Sequence, residues 1–131
     1  MLSRVELRKI ARARVNDAKV LFSGKRYDGA VYVCGYAIEI ALKARIVATL
    51  GLSGFPQTSA EFKLNQNLRT HDLDLLLKLS GRERRVKNSH LAEWSGVAQW
   101  EPEARYKRIG LAKRADALTM IQATDHLLKV I

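Results

Sequence analysis

The chain has 131 residues, 47% hydrophobic and 27% charged, which suits one domain with its own core and is the balance of a globular chain, not a disordered one. Lys and Arg total 23 against 13 Asp and Glu, a net charge of +10, so the partner expected is anionic: nucleic acid, nucleotide, an acidic protein or a membrane surface. One cysteine, Cys34, excludes an intrachain disulfide and a cysteine zinc cluster.

Ser3 with Glu6 three residues on forms a capping box for a first helix running to about Phe22. Leu7, Ile10, Ala11, Ala18 and Leu21 mark its buried stripe, and Arg4, Arg8 and Arg12 form a basic line on another face. Ser23-Gly24 ends it, with glycine expected to take the left-handed C-terminal conformation. The next stretch, Tyr27 to Leu50, is proline-free and apolar almost all round, the pattern of a helix buried on most sides. Its small residues, among them Gly35, Ala37 and Ala41, let other helices approach closely. Tyr32, Tyr36, Glu39 and Lys43 break the apolar pattern as one polar seam, expected to be locally satisfied or solvated, or else to face a groove or a dimer interface. Gly51 to Arg69 reads as a loop with at most one short turn. Thr70 or Asp72 caps a short leucine-rich helix to Leu79, and GRERRVKNSH then reads as an exposed basic stretch. Asn88 or Ser89 caps another helix, HLAEWSGVAQW, which Pro102 closes. Ala112 to Ile131 is the last helix, with Ala115, Leu118, Ile121, Leu128 and Ile131 expected inward. No alternating strand pattern, repeat or low-complexity tract occurs. The N-terminal MLSRVELRKIARARV lacks a signal peptide's apolar core, and charges interrupt the central helix, so a soluble cytoplasmic protein is expected.

The order "DAKVLFSGKRYDGAVYVCGYAIEIALKARI", "THDLDLLLKL", "WEPEARY" and a closing helix resembles the HEPN domains (higher eukaryotes and prokaryotes nucleotide-binding). The resemblance implies a single all-α domain over 1–131, an up-and-down antiparallel bundle of four to five helices that commonly forms a homodimer. It also implies a nucleotide- or RNA-binding module, often paired with a small nucleotidyltransferase in a toxin–antitoxin system. Some family members are metal-independent endoribonucleases that use an arginine followed, after four to six residues, by a histidine. Arg85 and His90 fit that pattern, with four residues between them. Arginine would hold charge building on the phosphate and histidine would shuttle the proton. A ribonuclease toxin and a purely protein-binding antitoxin-like module are therefore the alternatives.

Trp100, Arg105 and Tyr106 are candidate ligand residues, because rings stack bases and arginine holds phosphate. Glu39 and Lys43 join them through the polar seam. His71 is expected to bond a neighbouring backbone group and His126 to complement a helix dipole. The three histidines share no metal-ligand spacing along the chain, and neither a metal nor another cofactor is expected.

Overall fold

A computed structural model describes residues 1–131 and contains seven α-helices: α1 (Arg4–Ser23), α2 (Tyr27–Thr49), α3 (Ser59–Phe62), α4 (Leu73–Ser80), α5 (Glu83–Ser89), α6 (Leu91–Val97) and α7 (Arg114–Val130). Short 3₁₀ turns lie at Gln66–Leu68 and Pro102–Tyr106. The all-α bundle expected from the sequence is present, with α3 and α5 as additional short helices. No helix is long and apolar enough to cross a membrane.

The capping box forms as read: Ser3 N–H donates to Glu6 at 2.8 Å and Glu6 N–H donates to Ser3 Oγ at 3.2 Å. The end of α1 differs from expectation. Lys25, not Gly24, carries the left-handed conformation, at φ 60°. Arg26 N–H then donates to Leu21 O and Lys25 N–H to Phe22 O, the paired bonds of a Schellman turn that begins one residue later than Gly24 would place it. A lysine there carries a Cβ clash that glycine lacks. Lys25→Gly should raise stability by about 0.5–1 kcal/mol in a urea melt, since only the αL strain is relieved.

α2 is the axis of the bundle. Ala30, Cys34, Ala37, Ile38, Leu42 and Ile46 are all fully buried on it, as its apolar pattern foretold. α1 runs back along it. α4 and α7 also pack against α2, α6 packs against α7, and α5 joins α4 to α6. α7 runs parallel to α2: residues at its entry bond Asp28, and its far end, Leu128 and Ile131, shares a surface groove with Ala41. The inward face of α7 is Ala117, Met120, Ile121, Thr124, Leu127 and Leu128, with Ile131 just beyond it; Ala115 is exposed and Leu118 only half-buried.

The 51–69 segment is more ordered than a loop reading suggests. Leu2 and Phe55 exchange backbone hydrogen bonds at 3.1 and 2.7 Å, and Phe55, Phe62 and Leu68 are buried beneath it. GRERRVKNSH folds as α5 around one buried residue, Val86. Lys87 braces it by ion pairs to Glu83 at 3.2 Å and to Asp74 at 3.1 Å.

Candidate functional site

The polar seam of α2 divides into two halves. In the first, Tyr32 and Tyr36 rings meet edge-on at 5.2 Å, and Tyr36 meets Trp100 edge-on at 4.9 Å. The hydroxyl contact with Tyr32, then burial, push the Tyr36 phenol up to about 12. The Trp100 indole N–H donates to Tyr32 O at 3.1 Å, and its ring lies flat over Gly35, where no Cβ intervenes. Trp100 is thus both a core anchor and a wall.

In the second half, Glu39 is only 3% exposed, yet its carboxylate is fully engaged. It accepts from Lys43 Nζ at 3.0 Å and from His71 Nδ1 at 2.8 Å. Lys43 also lies over the Phe55 ring at 5.2 Å. His71 therefore bonds a side chain from α2, where the sequence suggested only a neighbouring backbone group. The chain separation of 32 residues hides that partner from local reading.

Trp100 and Arg105 line one cavity of about 560 Å³, within the range of small-ligand sites. Its walls come from the start of α2, the end of α6, the Pro102–Tyr106 turn and the segment entering α7. Arg105 is held by Pro102 O at 3.3 Å and stacks on the Tyr106 ring at 4.7 Å. Tyr106 is exposed and does not line the cavity itself. Lys107 and Arg108 add further cations at the rim. Asp28 fastens this wall by accepting from Gly110 N–H at 2.6 Å and Ala112 N–H at 2.8 Å. Those bonds, Gly110 first, hold the Asp28 carboxyl below the usual carboxylate range. Glu39 and Lys43 do not line this cavity.

Arg85 and His90 are not joined by a hydrogen bond. α5 is continuous through Ser89, and the chain breaks at His90, which caps α5 and opens α6. Nδ1 of His90 lies 2.9 Å from Nε2 of His126 on α7. So His126 meets another histidine and does not merely face the end of its own helix.

Arg85 stands in different company. Burial first, then the fields of Arg82, Arg4, Arg8 and Arg85, hold the Arg45 guanidinium below the usual arginine range. Five arginines from α1, α2 and the α4–α5 region therefore share one neighbourhood. None of them forms an ion pair; the paired cations are the N-terminus, Arg12, Arg14, Lys19, Lys43 and Lys87, with His71 and His126 as partners if protonated. Nε of Arg4, Arg45 and Arg82 is sheltered without a hydrogen-bond partner. Of the basic line read on α1, Arg12 is neutralised by Asp125, and Arg4 and Arg8 are left to this cluster. Sequence reading missed the cluster because its members come from three separated segments.

Burial pushes the Cys34 thiol up to about 11, which makes it a packing residue and a poor nucleophile.

No curated protein and no solved structure matches the chain. A family profile described as HEPN domain matches residues 5–131. That match spans nearly the whole bundle, including the α2 seam, the Trp100 cavity and all of the arginine cluster but Arg4, and the chain belongs to the HEPN domain family.

Proposed function

We propose that the protein is an RNA- or nucleotide-binding module whose anion-binding face is formed by Arg4, Arg8, Arg45, Arg82 and Arg85. One observation carries this reading: five arginines share one neighbourhood and none of them is ion-paired. Like charges so arranged repel, and the fold gains nothing from them on its own. A phosphate backbone removes the repulsion, accepts the forked N–H groups and releases its own counterions. The cavity beside Trp100 and Arg105 offers a place for a base or nucleotide, with an aromatic wall and a cation at its mouth.

The test is fluorescence anisotropy with short single-stranded RNA across a salt series. Arg82→Ala combined with Arg85→Ala should weaken binding on the order of tenfold at low salt and flatten the salt dependence by about one to two in slope. Arg105→Ala is the second arm. Loss of binding there with no change in the arginine pair would move the site to the cavity, and salt-insensitive or absent binding would remove the reading.

The ribonuclease alternative asks Arg85 and His90 to serve one phosphate. Arg85 lies within the field of Arg45, and His90 is engaged across the bundle by His126. The same RNA should therefore remain uncut with chelator present. Chelator-resistant cleavage that disappears in His90→Ala would make the protein a ribonuclease.

The resemblance to nucleotidyltransferase-associated domains supports a cytoplasmic homodimer acting beside such a partner in a toxin–antitoxin pair. Co-expression with a neighbouring nucleotidyltransferase gene product and recovery of a stoichiometric complex would support it; a chain that stays alone would favour the RNA-binding role by itself. A purely protein-binding antitoxin-like role would instead leave the RNA titration flat.

A further inference from the structure

We propose that His90, Glu93 and His126 form a binding site for a divalent transition-metal ion, with zinc the best match to the ligand set. His90 stands at the break between α5 and α6, and Glu93 follows one turn on, so both reach the same side of α6. His126 faces them from α7. His90 Nδ1 and His126 Nε2 are 2.9 Å apart, and Glu93 Oε1 lies 3.8 Å from His126 Nε2. One ligand atom from each residue lies within 4.8 Å of the other two.

Tetrahedral zinc holds nitrogen and oxygen at about 2.0–2.2 Å, which sets neighbouring ligand atoms about 3.3–3.6 Å apart. The two imidazoles need to part by about half an ångström and the carboxylate to draw in by about 1.5 Å at most, movements that side-chain rotation can supply. Without a metal, one imidazole must donate and the other accept, and double protonation would set two cations against each other. A metal ion replaces the shared proton, uses both lone pairs and is partly neutralised by Glu93. The side chains of His126 and Glu93 are 43% and 34% exposed, so an ion has a way in. Three protein ligands leave a fourth position for water. The ion would staple α6 to α7 and would withdraw His90 from any acid–base role. This site is independent of the arginine cluster and of the RNA-binding reading.

The experiment uses untagged, chelator-washed protein. Titration with Co²⁺ should produce the visible ligand-field band of a tetrahedral site, and calorimetry with Zn²⁺ should give one ion per chain. Zinc should also raise the melting temperature. His126→Ala should abolish the band and the one-to-one binding while circular dichroism stays helical. Glu93→Gln, which keeps size and packing, should weaken Zn²⁺ at least tenfold, and His71→Ala should change nothing. No stoichiometric binding by the natural chain, or binding that survives His126→Ala, would overturn the site.

Discussion

Gly35→Ala should cost about 3 kcal/mol or more, the upper end for overpacking a close contact. A Cβ at Gly35 would overlap the Trp100 indole at Cδ2, Cε2 and Nε1, far inside van der Waals contact. The obstacle is a rigid ring and not the end of a flexible chain. That ring is also fixed on other sides, by its N–H bond to Tyr32 O at 3.1 Å and by Tyr36 at 4.9 Å. So neither α2 nor the indole can yield cheaply. The substitution should displace Trp100, red-shift its fluorescence and deform the cavity it walls. Coupling between the two positions makes the test specific. In a Trp100→Leu background, adding Gly35→Ala should cost less than about 1 kcal/mol, because directly touching residues are non-additive by roughly this much. An unchanged urea midpoint for Gly35→Ala alone would show that the indole does not sit on α2.

Features set by neighbouring residues were legible in the sequence. Ser3 and Glu6 announced α1 because a capping box is local, and Asp72 announced α4 for the same reason, its carboxylate accepting from Asp74 and Leu75 N–H at 3.0 and 3.2 Å. The burial of α2 followed from its composition. α7 was read two residues early because Lys113 is extended and acts as the N-cap, its N–H donating to the Asp116 carboxylate at 2.9 Å, so the helix begins at Arg114. Its inward face was read correctly at Ile121, Leu128 and Ile131 and wrongly at Ala115 and Leu118, which lie beside the stripe that Ala117 and Thr124 complete. α5 escaped notice because a single apolar residue, Val86, cannot show a period. Trp100 and Arg105 were legible as residue types and do share a cavity, and the four-residue spacing of Glu39 and Lys43 made their ion pair legible, yet His71 as a second partner of Glu39 could not be assigned until the turn before α4 was placed. The arginine cluster and the His90–His126 pair lie wholly outside local pattern. The first is brought together by α1, α2 and the α4–α5 region, the second by the helix break at His90 and by α7.

Glu39→Ala should destabilise by about 2–4 kcal/mol, because removing one partner of a sheltered ion pair leaves the other uncompensated. The Lys43 side chain is 16% exposed and would lose its only carboxylate, while His71, at 60%, is solvated and loses little. Lys43 can recover some hydration by extending its stem outward, which places the cost below that of a fully enclosed charge. Glu39→Gln retains the shape and an acceptor for His71, so about half of that loss is expected. The paired substitution Glu39→Leu with Lys43→Met removes both charges and restores apolar packing. It should return stability to within about 1 kcal/mol of the natural chain, since a buried pair is often replaceable by hydrophobic residues of similar volume. A urea series on the single and double variants measures the coupling directly. A cost under about 0.5 kcal/mol for Glu39→Ala, the range of ordinary surface changes, would mean the seam is solvated. The double variant also decides what the seam is for. If it folds, keeps its sedimentation behaviour and binds RNA like the natural chain, Glu39 and Lys43 serve to lock α2 against the turn before α4. If it folds but loses binding or assembly, the pair belongs to a working surface, and the carboxylate is held there for a partner.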